Sequence, residues 1–244
     1  MIDVIIPTRN LDRACALGAA LEVRATLPST SIEPAYSQDS AVENMRRGAA
    51  DTKGNIIAFL HDDCTIDEDG WDAKIDYHFH RYPNCGLLGF GGALGLGTPD
   101  LYKRPYQLQQ LARVQFFSNM SEAEHHGQRT TQPRRVAVLD GFAQVFRRSA
   151  YVNMGGWRDA LDAGITFHMY DAWAACRMWE LGWETWLLPL ACSHHGGLTS
   201  VSQEYDAWLR AKGVEGDAEV HTKAHEVIYE RFRNVLPIRV EEQC

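Results

Sequence analysis

The 244-residue chain has no excess of positive charge. Its 24 Lys and Arg against 32 Asp and Glu leave a formal net charge of −8. Holding long nucleic acid by bulk electrostatics needs a basic surface, so that class of function is disfavoured. The basic residues that do cluster, Arg46-Arg47, Lys103-Arg104, Arg134-Arg135 and Arg147-Arg148, read first as solvated surface pairs. Cysteine is sparse and scattered: Cys15, Cys64, Cys85, Cys176, Cys192 and Cys244 show no CxxC spacing. That gives neither a zinc knuckle nor a dense disulfide framework, and it fits a reducing compartment. No stretch approaches ~18 uninterrupted apolar residues, and "MIDVIIPTRN" lacks a basic segment followed by a long apolar core. The expectation is a cytoplasmic protein, neither secreted nor membrane-spanning. Internal repeats and low-complexity linkers are also missing. The glycine-rich "GLLGFGGALGLG", Gly86 to Gly97, does not follow GxGxxG within a βαβ unit, which argues against a dinucleotide fingerprint.

With 45% hydrophobic and 23% charged residues, the chain should bury a real core. Its length suits one large α/β domain or two small ones. Asp3 to Pro7 reads as a short buried strand ended by Pro7, followed by a helix from Leu11 to Leu21. Ser31 to Ala35 reads as a second strand, Ser40 to Ala50 as a helix, Asn55 to Leu60 as the strongest strand and Trp71 to Tyr82 as a helix. Regularity then breaks at Gly86 to Gly97, and 98–135 is the least regular part. Order returns with strands at Val136 to Leu139 and Gln144 to Arg147, and a short helix at Ser149 to Met154. A helix from Asp171 to Leu181 and a strand from Glu184 to Leu188 follow. Ser202 to Pro237 reads as two helices. This alternation predicts a mainly parallel, Rossmann-like sheet flanked by helices, with ligands beyond the carboxyl ends of the strands.

His61, Asp62 and Asp63 fall at such an end. In "FLHDDCTIDEDGW" an apolar strand runs straight into two adjacent carboxylates, which repel each other and are costly to bury unpaired. A divalent cation resolves that conflict. Two further features carry chemistry: Asp171 opening a late helix, and His194-His195 after a late strand. Singly each has an ordinary reading, as a turn, an N-cap or a solvated pair. Their shared placement at strand ends and helix starts singles them out.

The segments "VIIPTRN", "GNIIAFLHDDC", "LDGFAQVFRRSAY…GGW", "FHMYDAWAACRMWELGW" and "SHHGG" occur in the order found in the family-two glycosyltransferases of GT-A fold, and the chain resembles their short branch with a histidine-acid-acid motif over roughly residues 1–200. The resemblance implies a GT-A-like domain over 1–200 and a helical C-terminal extension, 201–244, packed on it. It also implies inverting transfer of a sugar from a nucleotide sugar, with a uridine diphosphate sugar favoured. Asp63, in the DxD-like motif, and His194 would hold Mn2+ or Mg2+ against the diphosphate. Oxygen ligands suit a hard cation, and an imidazole shifts the preference toward Mn2+. Asp171 would be the general base, and its helix-start position favours the ionised form. Pro7, Thr8 and Arg9 would border the nucleoside, Asp39 would read the nucleobase, and His61, Asp62 and Asp140 would complete the donor side.

Two positions depart from the family pattern. His61 replaces the first acid of the commonest DxD form, and Trp173 stands where a second acid often follows the base. A sugar nucleotidyltransferase would need a glycine-rich basic loop after the first strand, which "PTRNLDRACALG" does not supply. A catalytically inactive sugar-nucleotide or glycan-binding module is the alternative function. The acceptor stays open between a saccharide, a protein, a mildly disfavoured lipid-linked glycan and a less favoured modified nucleobase in DNA.

Overall fold

The computed structural model describes residues 1–97, 116–118, 129–196 and 202–241. Lys103-Arg104 and most of the irregular stretch 98–135 lie outside the described residues. In chain order the strands are β1 (Ile2–Thr8), β2 (Thr30–Tyr36), β3 (Ile56–Leu60), β4 (Cys64–Ile66), β5 (Cys85–Gly89), β6 (Gly91–Ala93) and β7 (Gly95–Leu96). They continue with β8 (Phe116–Ser118), β9 (Arg134–Arg135), β10 (Val138–Leu139), β11 (Ala143–Arg147), β12 (Glu184–Leu187), β13 (Cys192–His194) and β14 (Ile238–Arg239). The helices are α1 (Leu11–Arg24), α2 (Ala41–Ala49), α3 (Trp71–Arg81), α4 (Arg148–Asn153), α5 (Arg158–Asp162), α6 (Tyr170–Glu180), α7 (Gln203–Ala211) and α8 (Asp217–Phe232).

Seven strands form the main sheet in the order β2-β1-β3-β11-β5-β12-β9. Parallel pairing of β2, β1 and β3, antiparallel insertion of β11 and parallel pairing of β5 with β12 leave only β11 and β9 running against the rest. Pro34 is tolerated because β2 is an edge strand, where a missing N–H costs no ladder bond. Period-two alternation divides the core. Val4, Ile6, Ala58 and Leu60 face α1 and α3, while Ile5, Ile57 and Phe59 face α2, α6 and α8. Helix α8 joins that second cluster through Ala224, Ile228 and Phe232, with the Phe232 ring edge-on to Trp173 at 5.1 Å.

Several expectations need correcting. Pro7 does not end the first strand, because β1 continues through Thr8 in register with Tyr36. The glycine-rich stretch is strand, not irregular chain. Its glycines allow close pairing: a Cβ on Gly92 would lie 2.6 Å from the Val138 carbonyl, and one on Gly89 2.7 Å from that of Ala143. Of the strand expected over Val136 to Leu139 only Val138 and Leu139 are strand, as β10 paired with β6, while β9 lies just before it and edges the main sheet. Arg147 and Arg148 are not solvated surface charges. Arg147 donates to the carbonyls of Phe79, Tyr82 and Cys85, and Arg148 to Asp3, Thr52 and Gly54.

Candidate active site

The carboxyl ends of β1 and β3 open into a cavity of about 280 Å3, and the turn before β11, the start of α6, the end of β13 and the C-terminal helices complete its wall. One part of its wall is built by pairing across the chain. Strands β4 and β13 form an antiparallel ladder in which His194 opposes Cys64, and the His195 N–H donates to the Asp63 carbonyl at 3.1 Å. The His194 ring lies flat against Phe142, 4.8 Å between centroids and 16° between planes. Together these contacts bring His194 Nε2 to 3.3 Å from Asp63 Oδ1, while His61 Nδ1 stands 3.7 Å from the same oxygen.

Ligand atoms of His61, Asp63 and His194 all lie within 4.8 Å of one another, the one such group among the described residues. Spacings of 3.3 and 3.7 Å suit donors at neighbouring positions around one ion with bonds near ~2.1 Å. Two imidazoles and a carboxylate make a mixed nitrogen and oxygen donor set able to hold a divalent cation. Burial works against the Asp63 carboxylate, but the His194 contact and the nearby imidazoles outweigh it and hold its pKa below the usual value. Burial, reinforced by His194, lowers that of His61, so both groups favour their ligating forms. Between His61 and Asp62, which the sequence left open as metal contacts, it is His61 that stands inside this donor set. Asp62 turns away from it: its carboxylate accepts from Thr8 Oγ1 and from Arg13 Nη2 at 3.3 Å.

Across the cavity, Asp171 follows a sharp backbone turn. Met169 adopts a left-handed conformation, with φ of 62°, and is the N-cap of α6 without a side-chain cap bond. Asp171 is thus inside the first turn, and its Oδ1 accepts the adjacent Ala172 N–H at 2.8 Å. The expected stabilisation of its charge by the helix start does not prevail. Burial first, and the charge of Asp140 second, raise its pKa to about 7. Asp140 belongs to the turn before β11, where its Oδ1 accepts the Phe142 N–H at 3.2 Å.

Pro7, Thr8 and Arg9 line the cavity as expected of the first strand's end. Arg9 is braced by Gln38 at 3.2 Å and the Glu204 carbonyl at 3.3 Å, whereas its buried Nη1 has no hydrogen-bond partner among the described residues. Asp39 does not line this cavity. Its carboxylate pairs with Arg47 at 2.8 Å and borders a separate open depression.

No protein-family model matches the chain, and no curated protein matches it in sequence. Solved structures do match. GalNAc-T7, determined with UDP, GalNAc and Mn2+, superposes with a TM-score of 0.55 at 11% identity, over 86% of this chain and 47% of its own. The fold is GT-A-like. The chain spans about half the length of GalNAc-T7. The mannosyltransferase PcManGT from Pyrobaculum calidifontis, in complex with GDP-Man and Mn2+, matches over 96% of this chain and 70% of its own at 16% identity, with a TM-score of 0.41, too low to bear on the fold.

On this GT-A-like scaffold the cavity also collects residues that the sequence did not single out: Asn44, His168, Tyr170, Tyr205 and Asp217. Asn44 ties the β1 and β2 ends together through the Thr8 carbonyl and Ser37. Asp217 accepts from Tyr205 at 2.7 Å and contacts His168 at 2.6 Å, joining both C-terminal helices to the wall. Tyr170 alone had a local signal, as the neighbour of Asp171. No helix among the described residues is long and apolar enough to cross a membrane.

Proposed function

We propose that the protein is a metal-dependent, inverting glycosyltransferase of the family-two kind, moving a sugar from a nucleoside diphosphate sugar to an acceptor hydroxyl. The observation that most supports this reading is that the His61–Asp63–His194 donor set and the half-buried Asp171 carboxyl share one cavity on a GT-A-like sheet. The His-Asp-Asp run acts as the variant DxD motif, with His61, Asp63 and His194 holding Mn2+, or Mg2+ with less preference. What a bound divalent cation supplies is neutralisation of the charge that develops on the departing diphosphate, without a proton. Arg9, whose Nη1 is buried and unpartnered among the described residues, offers charge-assisted hydrogen bonds to the same anion. Pro7 and Thr8 border the nucleoside, and Asp62 secures that strand end to α1 through Thr8 and Arg13.

Asp171 takes the acceptor's proton. A carboxyl with a pKa near 7 is partly ionised at neutral pH, yet basic enough to accept a proton as the sugar is transferred. The extension 201–244 packs on the domain 1–200 and supplies Tyr205 and Asp217 to the wall. A uridine diphosphate sugar is the favoured donor, on its frequency in the family that the sequence resembles. A saccharide acceptor is favoured over a base in DNA by the net charge of −8 and the internal engagement of Arg147 and Arg148. The five described cysteines are free thiols, which suits the cytoplasmic location proposed with this activity.

The test pairs thermal shift with release of nucleoside diphosphate, using uridine, guanosine and thymidine diphosphate sugars with and without Mn2+. A ligand that binds only the folded protein raises its melting temperature. Mn2+-dependent stabilisation by the uridine form, turnover lost in EDTA and restored by Mn2+, and loss of both in Asp63→Ala are expected. Full turnover in excess chelator would overturn the metal role. Stabilisation without any donor hydrolysis or transfer would identify a binding module.

A further inference from the structure

The hydroxyl of Tyr170 lies between two groups that neither the sequence nor the proposed reaction assigns to it. It stands 2.5 Å from His61 Nε2 and 3.1 Å from the Gly141 carbonyl oxygen. A carbonyl only accepts, so the single phenolic proton goes to Gly141, and the phenol oxygen is left to accept from His61. That arrangement requires the proton of a neutral His61 to sit on Nε2. The other nitrogen, Nδ1, then presents a lone pair, and it is Nδ1 that stands 3.7 Å from Asp63 Oδ1, on the side of the other two residues of the donor set.

We propose that Tyr170 is a positioning residue that holds His61 in the Nε2–H tautomer and so prepares Nδ1 to bind the cation. The inference rests on the metal reading above. An imidazole whose far nitrogen is fixed by a hydrogen bond is both oriented and locked in one tautomer, and loss of such a partner typically costs 10- to 100-fold in metal affinity. The backbone is shaped around this contact. Met169, left-handed at φ of 62°, starts α6 so that the first two helical residues both line the cavity, Tyr170 on the metal side and Asp171 as the proposed base. Gly141 leaves the space: a Cβ there would lie 2.5 Å from the Tyr170 hydroxyl. One turn of chain thereby ties the metal group to the segment that carries the base.

Tyr170→Phe removes only the hydroxyl. Two measurements on the full chain decide the proposal: Mn2+ binding followed by electron paramagnetic resonance, and the His61 tautomer read from imidazole 15N shifts in metal-free protein. The parent should show His61 protonated at Nε2, and the variant a mixture of tautomers with Mn2+ affinity roughly 10- to 100-fold weaker at unchanged helix content. Gly141→Ala, which displaces the hydroxyl without deleting it, should shift both readings the same way and serves if Tyr170→Phe folds poorly. Parent-like Mn2+ affinity and an unchanged tautomer in Tyr170→Phe would overturn the inference while leaving the metal site standing. A parent protein that binds no Mn2+ would instead overturn the metal reading, and the role of Tyr170 with it.

Discussion

Replacing Asp171 with asparagine should make the protein more stable at pH 8 and at the same time nearly inactive. Burial, and then the charge of Asp140, raise the Asp171 pKa to about 7, whereas an aspartate in an unfolded chain titrates near ~4. The folded state therefore binds this proton more tightly than the unfolded state does. Its contribution to stability is fully present below about pH 4 and is lost as pH rises through about 7. Each pKa unit is worth about 1.4 kcal/mol, so the ionised side chain costs at most about 4 kcal/mol at pH 8. Asparagine keeps an oxygen for the Ala172 N–H, bonded at 2.8 Å, and carries no charge. At ~2–4 °C per kcal/mol for a chain of this size, a rise in melting temperature of at most about 8–16 °C is expected at pH 8, shrinking toward nothing near pH 4. Turnover should fall roughly 10²- to 10⁴-fold with donor affinity kept, because a general base acts on the acceptor's proton only in the transition state. The parent's activity should show an acid limb near pH 7. Scanning fluorimetry from pH 4 to 8, beside single-turnover kinetics, measures both effects. A melting temperature for Asp171→Asn that is equal to or below the parent's at pH 8, or a difference that ignores pH, would refute the desolvation argument.

Arg9→Ala should weaken nucleoside diphosphate binding roughly 10- to 100-fold, the worth of a hydrogen bond to a charged group, with little change in the melting temperature of the ligand-free protein. Calorimetric titration giving an unchanged Kd would remove Arg9 from the donor site. Asp72 tests the fold alone. It is fully buried and accepts from the backbone N–H groups of Thr26, Leu27 and Ala73 and from Thr30 Oγ1, all within 2.8–2.9 Å. Asp72→Ala strands those donors and should cost about 3 kcal/mol or more in urea denaturation at pH 7, while a folded variant keeps its nucleotide affinity. Burial opposes the Asp72 carboxylate, but its backbone donors at Thr26 and Leu27 hold the pKa below the usual value. Its contribution is therefore present above about pH 4 and lost as pH falls further. A loss under about 1 kcal/mol would mean that the donors find water instead.

Local pattern carries much of this protein. The five apolar residues of β3, the alternation of Val4, Ile5 and Ile6, and the helical spacing of α1, α2 and α3 are legible because burial on one face imposes a short period on the sequence itself. The acid run after β3 is legible for the same reason, since charge directly after a buried strand must lie at the sheet's edge. What the sequence could not decide depends on partners distant along the chain. The β4–β13 register brings His194 to Asp63, and the start of α6 sets the Tyr170 hydroxyl against His61 Nε2. Arg147 and Arg148 look like surface charge until the carbonyls of Phe79, Tyr82 and Cys85 and the side chain of Asp3 are folded around them. Asp171 shows the division most clearly. Its place in the first turn of α6 argues for an ionised carboxylate, whereas tertiary packing removes water from around it and adds Asp140 nearby. Desolvation depends on every atom that surrounds a group, and a sequence specifies only its immediate neighbours.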